Sequence, residues 1–281
     1  MKKISQRNYQ PFDYILWAFL AGSFTFAYFP VLHGMVNLWS RSEDQSHGFF
    51  IVPLSLYVVW LKKEKLVNTP IVPSAWGGCL MAFALLLYLL ARFADITTVA
   101  AYSILPLIAG GCIYLFGVRI FRECQFPIAF LVFMMPIPEQ IYTFLTNPLQ
   151  IIVSISSVWL ASLANIPILR TGSVIQLPDH TLQVVAACSG LRSLLTILTL
   201  TSIFGYLTLK SNLLRVTLLV SSLPTALLVN IIRVFAMIIA FHYFNFDLTT
   251  GTVHTVFGLV IFLLALQIVA MTKGVLSSWD R

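Results

Sequence analysis

Charged residues are scarce in this sequence: only 10% of its 281 residues are Asp, Glu, Lys or Arg, whereas 59% are hydrophobic. Soluble domains carry about 25% charged residues. A soluble domain would need a stretch of about 100 residues or more with ordinary charge density, and the chain contains none. The deficit excludes a soluble fold and indicates an integral membrane protein.

Patterns typical of disulfide frameworks, zinc sites and repeat folds are also missing. The four cysteines are Cys79, Cys112, Cys124 and Cys188, and none belongs to a C-x-x-C pair. We therefore expect no structural disulfide, no metal and no cofactor. No repeat with a period of about 20 to 50 residues occurs, and the two halves of the chain lack the matching interrupted helices of inverted-repeat transporters.

Basic residues outnumber acidic ones, and the formal net charge is +7. They fall in short clusters between apolar runs, whereas a nucleic-acid-binding segment would concentrate them, so we expect no nucleic-acid partner. The positive-inside rule places the clusters, and with them both termini, in the cytoplasm. The clusters are Lys2, Lys3 and Arg7; Lys62, Lys63 and Lys65; Arg119 and Arg122; Lys210 and Arg215; and Lys273 and Arg281.

Several apolar runs approach the roughly 20 residues that a helix needs to cross a bilayer. The first follows a basic N-terminus, but it is longer than the apolar region of a signal peptide and further spans follow it, so we expect a retained anchor. The runs cover about residues 14–32, 47–61, 75–92, 95–117, 191–209, 213–241 and 254–271.

Two further apolar stretches, at about 124–138 and 148–164, lie between Arg122 and Cys188. The helix that begins near Leu191 must run inward to reach Lys210, so this interval needs an odd number of crossings. One stretch then crosses, and the other lies in the interface or re-enters. A polar period of about 3.5 residues favours the second stretch as the interfacial or cavity-lining helix. Its polar residues are Gln140, Thr143, Asn147, Gln150, Ser154, Ser157 and Asn165.

The expected fold is therefore an all-α polytopic membrane protein with about eight transmembrane helices, in which residues 1–281 form a single domain. Only "RTGSVIQLPDHTLQVV", residues 170–185, has the pattern of β structure. Two short runs of β-branched and apolar residues flank a Pro-Asp-His turn, which predicts a small extracytoplasmic hairpin.

Three side chains that could take part in catalysis fall at similar depth in this topology. "AACSGLRS", residues 186–193, places Cys188 at the outer end of a span, beside Ser189 and one turn before Arg192. Asn230 and Arg233 share one face of the next helix near its outer end, and His254 opens the last helix.

Each of these residues alone has a simpler interpretation. A cysteine in a membrane helix, such as Cys79, Cys112 or Cys124, usually fills space as a small apolar side chain. An arginine can snorkel to the outer headgroups, and a histidine at a helix entrance is more often interfacial than catalytic. That all three lie at one depth favours a functional site. In addition, a charge within a membrane span is by default a functional hypothesis.

The chemistry of these side chains is complementary. A thiol in apolar surroundings needs a base or cation beside it to act as a nucleophile. His254 can accept the proton, and Arg233 or Arg192 can stabilise the anion that develops on an attacked carbonyl. The combination predicts acyl transfer at a membrane surface through a thioester.

These residues resemble the exosortase/archaeosortase family of membrane cysteine transpeptidases. The resemblance depends on "ACSGLR" at 187–192, "NIIR" at 230–233 and "HTVFG" at 254–258, with "SHGFFIVPLSLYVVW" at 46–60 similar to an N-terminal signature of the family. It implies a catalytic part at about 126–271, with Cys188 as nucleophile and Arg233 and His254 as its catalytic partners. Arg192, Asn230 and Ser189 are then supporting residues.

The resemblance also implies the partners and the location. The substrates would be secreted PEP-CTERM-like proteins, whose C-terminal signal has a Pro-Glu-Pro-like motif, one transmembrane helix and a basic tail. The acceptor nucleophile is unknown. The enzyme would lie among the lipids of a bacterial inner membrane, usually in bacteria that make exopolysaccharide, with its active site at the periplasmic face.

Two other functions stay open at this point. A polytopic transporter also uses intramembrane arginine and histidine, although its polar residues would be spread through the depth of the bilayer. A membrane protease that only hydrolyses its substrate would form the same thioester, so the sequence does not separate it from a transpeptidase.

Overall fold

The computed structural model describes residues 11–42, 45–177, 181–183 and 191–280. Most of them are helical. The helices are α1 (Pro11–Arg41), α2 (Gly48–Leu61), α3 (Lys63–Asn68), α4 (Ala75–Phe93), α5 (Thr97–Tyr102), α6 (Ile104–Phe116), α7 (Val118–Phe130), α8 (Glu139–Leu163), α9 (Leu191–Thr208), α10 (Asn212–Phe244) and α11 (Gly251–Ser277). A 3-10 turn, Leu131–Met134, continues α7, and the strands are β1 (Leu169–Thr171), β2 (Val174–Gln176) and β3 (Thr181–Gln183).

Within these residues, 6 helical segments are long and apolar enough to cross a membrane. They are Ala18–Arg41, Ala75–Phe93, Thr97–Phe116, Glu139–Leu163, Asn212–Phe244 and Gly251–Ser277. Two other expected spans correspond to the shorter apolar helices Gly48–Leu61 and Ser193–Thr208. Helix length and composition thus support a polytopic membrane protein, but they do not establish the expected count of eight spans.

The assignment of the two stretches before the sheet differs from expectation. The second stretch lies in α8, a helix of 25 residues that meets the criteria for a span. The first stretch contains only the end of α7 and the 3-10 turn, because Met135 turns to extended backbone before Pro136. The preference for the second stretch as the interfacial helix therefore loses its support.

The polar stripe of α8 has a different explanation. Ser154 and Ser157 are buried. The Oγ of Ser154 donates to the carbonyl of Gly172 at 3.1 Å, and the Oγ of Ser157 donates to that of Ile231 at 3.4 Å. These buried hydroxyls are hydrogen-bonded inside the protein, as buried polar groups generally are. This part of the stripe faces neighbouring segments of the chain instead of a membrane surface.

Residues Met1–Ile137 form one compact unit. Within it α4 and α6 approach closely at two glycines, since a Cβ on Gly77 would overlap the backbone of Gly110 and Tyr114. The segment "SHGFFIVPLSLYVVW", residues 46–60, lies antiparallel to α7 and its 3-10 turn. Two of its side chains, and Lys62 just after it, donate hydrogen bonds to backbone carbonyls of α7 and the 3-10 turn. These bonds join His47 Nε2 to Phe133 (3.1 Å), Ser55 Oγ to Pro127 (2.7 Å) and Lys62 Nζ to Glu123 (2.8 Å).

Residues Pro138–Arg281 form the second compact unit. One buried cluster joins α8, the sheet and α10 through residues such as Val153, Ile175 and Met237. Another joins α9, α10 and α11 through residues such as Ile197 and Ala265. Helix α10 contributes to both clusters, so it is the central helix of this unit. The expectation of a single domain over residues 1–281 stays a prediction.

The β segment has one strand more than the expected hairpin. It is an antiparallel sheet of 3 strands in the order β1-β2-β3. Ile175 of β2 pairs with Arg170 of β1 and with Leu182 of β3. The Ile175 side chain is fully buried against the core, which fixes the register because a slip by one residue would turn it outward. The extracytoplasmic position of the sheet stays a prediction.

Candidate active site

The structure describes some of the predicted site residues and not others. Cys188 and Ser189 lie outside the described residues. Arg192 is the second residue of α9, which begins at Leu191, but its side chain is not described. Asn230 and Arg233 lie on α10, and His254 lies in the first turn of α11.

Asn230 and Arg233 belong to the buried face of α10, with 2% and 9% of their surfaces exposed. The apolar residues Val229, Val234 and Met237 flank them on the same buried face. Arg233 is the only buried charged side chain among those that the structure describes. A guanidinium in such surroundings requires specific hydrogen-bond partners.

His254 is one of those partners. Nη2 of Arg233 donates to Nε2 of His254 at 3.0 Å, and the ring's Nδ1 lies 2.9 Å from the carbonyl oxygen of Leu248. A carbonyl only accepts hydrogen bonds, so Nδ1 carries the proton and donates it there. Nε2 therefore carries the lone pair that accepts the hydrogen bond from Arg233, and the contacts assign the neutral Nδ1–H tautomer to His254.

Gly258 provides room for the guanidinium one turn after His254. A Cβ built on Gly258 would lie 3.6 Å from Nη2 of Arg233, which is ordinary van der Waals contact. Alanine therefore fits at this position. The outer atoms of a larger side chain would extend into the space that the guanidinium occupies.

We accordingly expect Gly258→Leu to displace Arg233 from His254. For the acyl transfer that the sequence predicts, this displacement should lower substrate processing by about 10-fold or more. Gly258→Ala should retain near-normal processing and is the matched control. Both rates are measurable by immunoblotting of a co-expressed substrate. Equal, near-normal rates for the two folded variants would refute this role of Gly258.

Two residues beside the Arg233–His254 pair were not predicted from the sequence. Leu248 contacts His254 directly, and Asp247 holds the loop that carries Leu248. Leu248 supplies the carbonyl for His254, and the carboxylate of Asp247 accepts hydrogen bonds from Thr249 and Thr250. The signal was present in "DLTTG", residues 247–251, because an aspartate followed two residues later by a hydroxyl residue is typical of an Asx turn before a helix. Nothing in the sequence indicated that the backbone carbonyl of Leu248 would accept a hydrogen bond from His254.

The described part of the site thus combines a cation with a ring nitrogen that can accept a proton. A base and a permanent positive charge are two kinds of group that can activate a nucleophile. It is built from α10, α11 and the loop between them.

The chain was compared with protein families, curated proteins and solved structures. The model of a family described as transmembrane exosortase matches residues 39–271. This range contains Cys188, Arg233 and His254, as well as the upstream segment at 46–60. No curated protein and no solved structure matches the chain.

Proposed function

Since the chain belongs to the transmembrane exosortase family, we propose that it is a membrane cysteine transpeptidase. It cleaves the C-terminal sorting signal of secreted proteins and transfers them to an acceptor. The signal has a Pro-Glu-Pro-like motif, a transmembrane helix and a basic tail, as in PEP-CTERM-like proteins. The observation that carries this proposal is the contact of buried Arg233 with His254.

In the proposed reaction the hydrogen bond from Arg233 to Nε2 of His254 breaks, the Cys188 thiol gives its proton to the lone pair that this exposes, and the thiolate attacks the carbonyl of the scissile peptide bond. A protonated His254 no longer accepts a hydrogen bond from Arg233, because both facing atoms would then be donors. The guanidinium is thereby released to stabilise the oxyanion of the tetrahedral intermediate.

The second half of the reaction returns the enzyme to its first state. His254 gives the proton to the departing amine, which leaves with the transmembrane part of the substrate. Cys188 then holds the remaining protein as a thioester. An acceptor amine, or water, attacks the thioester and restores the thiol. Asn230, Ser189 and Arg192 are proposed as supporting residues.

We place the site at the periplasmic face of a bacterial inner membrane, with both termini in the cytoplasm. Helix geometry supports this placement. Arg233 follows Arg215 by 18 residues on α10, which is about 27 Å along a helix. His254 precedes Lys273 by 19 residues on α11, which is about 28 Å. If Arg215 and Lys273 are cytoplasmic, Arg233 and His254 both lie near the opposite surface.

The distribution of buried charge argues against the transporter alternative. A transport pathway would bring ionisable side chains to several depths of the membrane. Among the described side chains only Arg233 is a buried charge. The purely hydrolytic protease stays a second candidate, because it would share every step up to the thioester.

The decisive experiment is co-expression with a candidate substrate, followed by acid quenching and mass spectrometry of the Cys188 peptide. We expect an adduct of the substrate's N-terminal part that hydroxylamine releases, as a thioester requires. Absence of this adduct during active processing would overturn the covalent mechanism. The mass of the released product separates transfer from hydrolysis, since hydrolysis adds only water.

A further inference from the structure

The loop between α10 and α11 is organised by one carboxylate. Oδ1 of Asp247 accepts the backbone N–H of Thr249 at 2.6 Å and the hydroxyl of Thr249 at 2.6 Å. Oδ2 accepts the hydroxyl of Thr250 at 3.1 Å. Hydrogen bonds to an ionised acceptor are short and roughly twice as strong as neutral ones, so these bonds hold the loop in one conformation.

The N–H of Thr249 and the carbonyl of Leu248 belong to the same peptide group. This group is planar, and its N–H and C=O point in opposite directions. The N–H donates to Asp247 on one side, and the carbonyl accepts Nδ1–H of His254 at 2.9 Å on the other. A continuous chain of hydrogen bonds therefore runs from the carboxylate through the peptide to the imidazole and on to Arg233.

We propose that Asp247 is the positioning residue of this enzyme and acts on His254 through the Leu248–Thr249 peptide. The carboxylate fixes the plane of the peptide and so aims the carbonyl at Nδ1. It also polarises the peptide, which strengthens the bond to the ring, as successive hydrogen bonds in a chain do. His254 is thereby held in the Nδ1–H tautomer, with Nε2 directed at Arg233.

This inference rests on the proposed function, in which Nε2 takes the thiol proton. The hydrogen bonds that link Asp247 to the ring run through the Leu248–Thr249 peptide, so we expect its charge to matter less than its geometry. What matters is an acceptor oxygen at the correct place beside the N–H of Thr249. Geometry and charge can therefore be separated by substitution.

The test compares two replacements of Asp247. Asp247→Asn retains an acceptor oxygen in place and loses the charge, and Asn and Asp serve about equally at such positions. Asp247→Glu retains the charge and displaces the oxygens by one methylene. We expect the Asn variant to process substrate within about 3-fold of wild type, which is less than 1 kcal/mol. The Glu variant should lose about 10-fold or more in kcat with KM little changed, comparable to the loss when a carboxylate that orients a metal-bound histidine is removed.

Asp280 provides a matched control in the same unit. Its carboxylate accepts the backbone N–H groups of Lys210 at 2.6 Å and Ser211 at 2.9 Å, just before α10. These bonds hold the pKa of the Asp280 carboxyl below its ordinary value. Asp280→Ala removes a comparable pair of carboxylate hydrogen bonds. These bonds lie before α10, whereas the His254 loop follows α10, so we expect normal processing.

The tautomer of His254 is a readout that a merely structural role would not move. Histidine-labelled protein in lipid bilayers gives separate 15N resonances for the two ring nitrogens, and the His254 signals are assigned by their loss in His254→Gln. We expect Nδ1–H in wild type, Asp247→Asn and Asp280→Ala, and a mixture of tautomers in Asp247→Glu.

Two results would overturn the proposal. One is a Glu variant with unchanged tautomer and normal kcat. The other is an Asn variant as impaired as the Glu variant, which would make the charge of Asp247 the essential feature. The tautomer measurement needs no substrate. A shifted tautomer together with the absence of a Cys188 thioester in wild type would therefore refute the proposed function and leave the positioning role intact.

Discussion

Replacement of Cys188 by alanine is expected to abolish processing of a co-expressed substrate, with a loss of more than about 1000-fold. The change removes one sulfur atom, which costs little packing but deletes the nucleophile of the proposed reaction. Immunoblotting for the cleaved product measures the effect, and membrane insertion is checked in the same samples. Comparable processing by Cys188→Ala and wild type would exclude the mechanism.

The other cysteines supply matched controls for this experiment. Cys79→Ala, Cys112→Ala and Cys124→Ala should each retain activity. Cys112 lies on α6 and Cys124 on α7, two helices that pack against each other. The double variant Cys112→Ala/Cys124→Ala therefore tests both positions together, and we expect it to process substrate at a near-normal rate.

Arg233→Lys is expected to lower processing by about 100-fold or more, the range seen when a donor to an oxyanion is lost. Lysine keeps the positive charge, but a single ammonium does not reproduce the planar fork that can bind His254 and an oxyanion in turn. Initial rates of processing, with kcat and KM measured separately, test this expectation. Near-normal turnover would reduce Arg233 to a countercharge.

Arg215 is a suitable control for that substitution because it lies on the same helix. Its guanidinium bonds to the carbonyls of Leu209 and Tyr206 and to the side chain of Asn212, away from the site. Arg215→Lys should therefore leave kcat unchanged. For Arg192→Lys we expect a milder loss than for Arg233→Lys, because it lies one turn beyond Cys188 in the sequence and is proposed only as a supporting residue.

The membrane class and the family could be predicted from the sequence. Apolar runs of sufficient length have few alternatives to a helix in a bilayer, because every backbone polar group must be satisfied within the segment. The prediction of exosortase family membership is confirmed by the match over residues 39–271. The depth of Arg233 stays a prediction, which converts its sequence separation from Arg215 into distance by the rise of a helix.

Side-chain contacts between elements were not readable in this way. The period of the α8 stripe indicated one polar face but not what covers it, and the structure places Ser154 and Ser157 against carbonyls of Gly172 and Ile231. Hydrophobic periodicity gives the direction of a face around its own helix axis. It does not say which neighbour packs there, because that depends on how all the helices of the unit fit together.

What the sequence by itself determined is therefore the membrane class, the family and a set of chemical groups. That the thiol, the guanidinium and the imidazole lie at one depth near one surface stays a prediction. The tertiary structure alone decided that Arg233 bonds to Nε2 of His254, and that the Leu248–Thr249 peptide joins His254 to Asp247. Hydrogen bonds depend on tenths of an ångström and on angles. Those quantities are set by the packing of α10 against α11 and by the exact placement of the loop between them. The pattern "DLTTG" indicates a turn there but not these distances.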